Sequence, residues 1–242
     1  TGDFNGDKTT DVAIGIPLEY VGTMGWAGAI NVIYGTGNRF AATGNQIWTQ
    51  ASPDIQGSAE AFDRFGGALA ACDFNGDDVT DLAIGVHGED VGTEQSAGAV
   101  NIIYGSTQGL VSTGNQLLLQ STSSDGIEES DFFGYAIAAG NFNGDSYCDL
   151  VVGVPGEEPG SPGLSGFGAG AITVWYGSAS GLIPPAGGLD VIHRGWPGIP
   201  GVGGDEAFGY ALVVGNFNND AYDDLAVGSP KADYGASVRV GE

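Results

Sequence analysis

Positive charge is nearly missing from this chain. Its 242 residues hold six Lys and Arg against 30 Asp and Glu, with two His, for a formal net charge of −24. Nucleic-acid binding needs a basic footprint, so that class is all but removed. Attraction to an anionic membrane surface is disfavoured for the same reason. Divalent cations and cationic partners fit better. Cysteine is almost as scarce, with Cys72 and Cys148 alone. A framework of several disulfides is therefore not expected. A single bridge stays open, while two buried free thiols is the favoured expectation, because unpaired Cys is among the most buried residue types. No apolar run nears the roughly 18 residues of a membrane span, so direct insertion is not expected. No basic-then-apolar leader is visible; the chain opens inside a repeat, which places any leader upstream. A helical period is missing throughout.

Glycine is what the chain has in excess, at 45 residues. Apolar residues still make up 42%, too many for a disordered chain, so the composition describes a folded protein rich in turns. The glycines fall in a pattern. The stretches DFNGDKTTD, DFNGDDVTD, NFNGDSYCD and NFNNDAYDD open at positions 3, 73, 141 and 216. Phe65-Gly66, Phe133-Gly134 and Phe208-Gly209 precede three of them at a similar interval. A short apolar strand follows each (DVAIGIP, DLAIGVH, DLVVGVP, DLAVGSP), then AGAINVIYG, AGAVNIIYG, AGAITVWYG and, last, YGASVRVGE. GNQIWTQ, GNQLLLQ and GLDVIHRG supply a further strand in the first three units.

Each unit thus reads as about four short strands with Gly-rich turns. In DLAIGV, Leu82, Ile84 and Val86 share one face, and Ala83 and Gly85 the other. Neither face is polar, so both require covering, and small residues let neighbouring sheets come close. Four-stranded sheets that repeat and are buried on both faces describe an all-β fold, a β-propeller segment of antiparallel blades.

The acidic stretch places oxygen donors at positions 1, 3, 5, 7 and 9. The first copy offers Asp3, Asn5, Asp7, the Thr9 carbonyl and Asp11; the second Asp73, Asn75, Asp77, the Val79 carbonyl and Asp81. The third offers Asn141, Asn143, Asp145, the Tyr147 carbonyl and Asp149; the fourth Asn216, Asn218, Asp220, the Tyr222 carbonyl and Asp224. This is the donor chemistry of calcium loops, where Ca²⁺ takes 6–8 oxygens. The bidentate Glu that a helical loop requires at position 12 is replaced by Ile14, Ile84, Val152 and Val227. The loop is therefore expected to join two strands as a hairpin. Gly6, Gly76, Gly144 and Asn219 at position 4 suit a backbone with positive φ. A plain Asn/Asp-Gly turn is the bland alternative, and four copies with an acid at position 9 argue against it. Carboxylates 4–5 Å apart repel by roughly 3–4 kcal/mol at an effective dielectric near 20, which calls for a cation. About four Ca²⁺ sites follow, with the Asn-led third and fourth expected to bind more weakly.

Phe-Gly, then D-x-N-G-D-x-x-x-D, then Gly-x-Pro (Gly15-Ile16-Pro17, Gly153-Val154-Pro155, Gly228-Ser229-Pro230) resembles the FG-GAP repeat over essentially the whole chain. That family builds the N-terminal propeller of integrin alpha subunits and of many bacterial extracellular proteins. The resemblance implies a calcium-braced, extracellular or cell-surface propeller that mediates adhesion or the binding of a protein or other ligand. Position 6, often Gly in the family, is Lys8, Asp78, Ser146 and Ala221 here, His87 replaces a Pro, and GEEPGSPGLSGFG is an insertion. The units fall as a partial repeat at 1–61, repeats at 62–131 and 132–205, and a partial repeat at 206–242. An integrin-type propeller has seven blades, so this is expected to be a segment of a longer chain, or one of two copies that associate to close a ring.

Catalytic motifs are not apparent. His87 and His193 lack a neighbouring nucleophile, and GFGAGA does not open a helix. The loops opposite the calcium hairpins vary while the strands repeat, which suits a scaffold presenting binding loops. Tyr20, Trp26 and Trp196 are the aromatic candidates there for a protein or glycan ligand; packing between blades is the bland alternative for both Trp residues. A lectin-like domain, an accessory domain of an extracellular enzyme and a unit of a surface fibre are the rival functions.

Overall fold

The computed structural model describes residues 1–37, 39–120, 126–158, 168–186, 191–194, 198–199 and 206–232. Among the described residues, short apolar runs punctuated by Gly turns become 13 strands in four antiparallel sheets. The first sheet orders β1 (Val12–Ile16), β2 (Ala29–Ile33) and β3 (Gln46–Trp48). The second orders β4 (Ala68–Cys72), β5 (Asp81–Val86), β6 (Ala99–Tyr104) and β7 (Val111–Leu118). The third runs β8 (Ile137–Gly140), β9 (Asp149–Val154), β10 (Ala171–Trp175) and β11 (Ile192–His193); the fourth holds β12 (Ala211–Gly215) and β13 (Asp224–Gly228). The expected third strand of the last unit, YGASVRVGE, and most of the GEEPGSPGLSGFG insertion lie outside the described residues, and GLDVIHRG contributes only the two residues of β11.

The two apolar faces of β5 explain the stacking. Leu82, Ile84 and Val86 join Ile30 and Val32 in a core between the first and second sheets. Ala83, on the other face, joins Val100, Ile102, Val152 and Val154 between the second and third. Val151, Ile172 and Phe208 continue the series with Leu212, Leu225 and Val227 of the fourth. Every residue of β5, β6 and β9 is buried. At about 25 cal/mol per Å² of apolar surface removed from water, this sheet-on-sheet burial is the main source of cohesion.

Phe-Gly locks one sheet to the next. Phe65, Phe133 and Phe208 donate their N–H to the carbonyls of Ala27, Ala97 and Ala169, each at 2.9 Å, and form parallel bridges with Gly28, Gly98 and Gly170. The glycine that follows meets the middle of the preceding unit's strand, so a Cβ on Gly85 would drive into the Gly134 carbonyl oxygen. That close approach is why the strand motif keeps Gly at this position.

The two cysteines depart from expectation. Cys72, at the end of β4, and Cys148, just before β9, form a disulfide with Cα atoms 6.0 Å apart, within the usual range for such a bridge. Both are half-buried. Their separation of 76 residues hid a pairing that only stacking the two units side by side reveals.

Candidate metal centres

The three repeated loops at 73–81, 141–149 and 216–224 join β4 to β5, β8 to β9 and β12 to β13, so each is a hairpin connection as expected. The loop at 3–11 leads into β1. Position 4 takes the left-handed conformation in all four, with φ of 68°, 76°, 78° and 61° at Gly6, Gly76, Gly144 and Asn219. Lys8 and Asp78 adopt φ of 66° and 65° at position 6, a conformation an L-residue accepts at some cost.

Side chains at positions 1, 3 and 5 turn inward onto the loop's own backbone. Asp3 accepts from the N–H groups of Asp7 at 3.0 Å and Lys8 at 2.7 Å, Asn5 Oδ1 from Asp7 N–H at 3.0 Å, and Asp7 Oδ1 from Thr9 N–H at 2.8 Å. Asp73, Asn75 and Asp77 repeat this on Gly76, Asp77, Asp78 and Val79. In the Asn-led loops the amide also donates: Asn141 Nδ2 reaches the Asp145 carbonyl and Asn216 Nδ2 the Asp220 carbonyl, both at 2.6 Å. Asn143 and Asp145, and Asn218 and Asp220, keep the same mutual contacts.

Position 9 has a role the sequence argument denied to a bare turn. Asp11, Asp81 and Asp149 are fully buried. Their Oδ2 accepts the N–H of Phe4, Phe74 and Phe142 at 2.8–2.9 Å. Their Oδ1 accepts the N–H of Gly35, Gly105 and Gly177 at 2.8–3.0 Å. Asp224 accepts from Phe217 in the same way at 2.7 Å. This carboxylate braces the hairpin against the end of the neighbouring strand, so recurrence of an acid there is explained without a cation. Burial raises the pKa of all three buried acids, Asp81 to about 7, against the lowering effect of those N–H donors.

A hard cation is nonetheless compatible with the donor set. Each carboxylate oxygen has two lone pairs. Asp73 Oδ1 and Asp224 Oδ2 accept two hydrogen bonds, while oxygens such as those of Asp3, Asp11 and Asp81 accept one and keep the second available. The donors are all oxygens, the hardness Ca²⁺ prefers. Among the described residues, no three His, Cys, Asp or Glu side chains are grouped so as to hold a metal ion, and the carboxylates of the loops are satisfied by backbone N–H groups.

The loops are also tied in series. Thr80 donates to the Asp3 carbonyl at 3.0 Å, Cys148 to Asp73 at 3.0 Å, and Asp223 to Asn141 at 2.9 Å. Side chains reinforce each tie: Asp3 N–H donates to Thr80 Oγ1 at 3.1 Å, Asn141 N–H to Asp223 Oδ2 at 2.8 Å, and the disulfide bridges the middle pair. The side chains at position 7 add to these ties, since Val79, Tyr147 and Tyr222 lie over Gly6, Gly76 and Gly144 of the loop before.

At the other end of the strands, Tyr20 is exposed and Trp26, 40% exposed, sits edge-on to exposed Phe62 with ring centroids 5.2 Å apart. Trp196 lies outside the described residues. Sequence reasoning missed a second group there: Arg64 Nη1 lies 3.4 Å from His87 Nε2, His87 stacks on Tyr135 at 5.1 Å, and Tyr135 on Tyr210 at 4.8 Å, the two hydroxyls 2.9 Å apart. Burial, then the Arg64 charge, lowers His87 to about 4. The available signal was the residue after each Phe-Gly, which is Tyr twice. His193 instead sets Nδ1 2.7 Å from the Arg194 carbonyl.

Comparison with known proteins agrees with this architecture. The FG-GAP repeat model matches residues 65–102, 133–175 and 208–240. Integrin alpha-PS2 of Drosophila melanogaster is 31% identical over 244 residues, covering 96% of this chain and 15% of the relative. Phosphatidylinositol-glycan-specific phospholipase D of Bos taurus is 32% identical over 239 residues, covering 94% and 25%, and its Homo sapiens counterpart is 31% identical over 236 residues. The chain therefore spans a quarter or less of the length of these relatives. Repeated Phe-Gly locks, stacked four-stranded sheets and three matched repeats together make this chain an FG-GAP repeat β-propeller protein.

Proposed function

We propose that this chain is a non-catalytic, calcium-braced propeller module that presents ligand-binding loops outside the cell. The observation that carries the calcium reading is the fourfold recurrence, at one end of the stacked sheets, of loops with the same inward oxygen donors. Asp3, Asn5, Asp7 and Asp11 would hold the first ion with the Thr9 carbonyl, and the corresponding residues the other three. Calcium's contribution is to neutralise carboxylates crowded in one hairpin and so to stiffen the series of tied loops. An extracellular setting is favoured by the Cys72–Cys148 disulfide, since such bridges persist in oxidising compartments. No helix among the described residues is long and apolar enough to cross a membrane.

The loops at the opposite end carry the ligand reading. Trp26, Phe62 and Tyr20 expose aromatic surface there, which suits an apolar side chain of a protein or the face of a sugar. A ligand that binds only the folded state stabilises it by mass action, which makes the calcium claim directly measurable. Thermal unfolding of the whole chain is recorded with calcium and with chelator, alongside a titration resolved loop by loop. The expected outcome is a higher Tm with calcium and tighter binding at the loops led by Asp3 and Asp73 than at those led by Asn141 and Asn216. A Tm unmoved by chelator would overturn the proposal.

A further inference from the structure

Between successive sheets, away from the acidic loops, each junction buries a small polar group, and the three junctions solve its charge differently. Backbone geometry puts equivalent residues in register. Ile30 pairs with Trp48, Val100 with Leu118 and Ile172 with Ile192, and two residues beyond stand Gln50, Gln120 and Arg194. Gly88, Gly156 and Lys231 donate N–H to the carbonyls of Asp63, Asp131 and Glu206. Glu89, Glu157 and Ala232 donate N–H to Val86, Val154 and Ser229. The first junction therefore holds Gln50, Asp63 and Glu89; the second Gln120, Asp131 and Glu157; the third Arg194, Glu206 and Ala232. All nine are buried.

The third junction balances its charge, with Arg194 Nη1 3.0 Å from Glu206 Oε2. The first two replace that guanidinium with a neutral amide and gain a second acid in place of Ala232. Gln50 Nε2 donates to Glu89 Oε2 at 2.6 Å, and Gln120 Nε2 donates to Glu157 Oε2. Gln50 Oε1 and Gln120 Oε1 stay buried and unpartnered within these clusters. Asp63 and Asp131 accept the N–H of Glu60 and Glu128. Among the described residues, the other charges that bear on the pairs add repulsion: Glu60 and Asp90 at the first, Glu128 and Glu158 at the second. The basic groups flanking the first pair in sequence, Arg64 and His87, face each other. Two ionised carboxylates so buried would each need a compensating charge.

We propose that each of the first two junctions holds one proton shared between its two carboxyl groups at neutral pH, in the place the third gives to a guanidinium, and that loss of this proton loosens the packing between sheets. Burial agrees: it is the largest cause, acid neighbours add to it and hydrogen bonds oppose it, and together they push Asp63 up to about 6, Glu89 to about 7 and Asp131 to about 8. The sign follows from linkage. Unfolded carboxyls ionise near pH 4, while the folded pair keeps its proton to higher pH. The folded state thus binds more protons in between, and stability falls as pH rises through the folded values. The stabilisation is fully present only below the unfolded pKa.

Infrared spectroscopy of the whole, calcium-saturated chain tests this. At neutral pH the wild type should show the C=O stretch of a protonated carboxylic acid, weakened in Glu89→Gln and lost at alkaline pH. Gln50→Arg places the third junction's cation in the first and should remove that contribution by releasing the proton. Gln50→Arg with Gln120→Arg should flatten the decline of Tm with pH by on the order of one proton per junction. An acid band missing from the neutral wild type, or one that Gln50→Arg leaves undiminished, overturns the proposal. So does a bound-metal count that drops by one in Glu89→Gln, because a metal ion and not a proton would then fill the junction.

Discussion

Two carboxylates of one acidic loop do different jobs that sequence spacing merges into one. Asp81 is fully buried and accepts N–H groups from Phe74 and Gly105, while Asp77 is engaged only within its own loop. Asp81→Ala strands two buried donors, each worth about 1–3 kcal/mol when left unsatisfied. We expect it to cost roughly 2–4 kcal/mol by denaturant unfolding in the presence of chelator. Asp77→Asn should behave like wild type in chelator and lose part of the gain in Tm on adding calcium. Equal behaviour of the two variants in chelator would remove the bracing role of position 9. The donor pattern was legible in the sequence because it is local, with residues two apart. The bracing was not, since its acceptor side chain and the Gly35, Gly105 or Gly177 donor lie a strand apart and only the register of β5 on β6 unites them.

Hairpins and their ties set the next scale. Strand order, hairpin connections and the two buried faces of β5 follow from period and turn chemistry, and they were readable from DLAIGV and the Gly-rich turns. What could not be read is contact between units, because periodicity describes one strand at a time. The Cys72–Cys148 bridge is the clearest case: expected as two thiols, it substitutes a covalent bond for the side-chain tie that Thr80 and Asp223 make at the equivalent places. Cys72→Ser with Cys148→Ser should lower stability by about 2–4 kcal/mol, as for bridges that close long loops. The second and third acidic loops flank the bridge, so their calcium affinities should fall more than that of the fourth. Unchanged affinities there, measured by the same titration, would show that the ties do not link the loops energetically.

Across the whole molecule, one distance governs the stack. Gly15, Gly85 and Gly153 each sit against the carbonyl of the Phe-Gly glycine in the next unit, so the sheets approach as closely as bare backbone allows. Gly85→Ala should cost about 1–3 kcal/mol, the usual penalty for overpacking, read as a lower denaturant midpoint. A neutral result would mean the sheets can separate to admit a methyl group. The same serial packing orders the loop phenylalanines. Phe4 and Phe74 are fully buried beneath the following sheet, whereas Phe217, with no described sheet beyond it, is 62% exposed. Each unit thus depends on residues that come later in the chain: Asp3 waits for Thr80, Asp73 for Cys148, and Asn141 for Asp223. On a ribosome, where amino-terminal segments emerge first, a blade would remain loose until its successor had been translated, and each newborn blade would be completed by the one behind it.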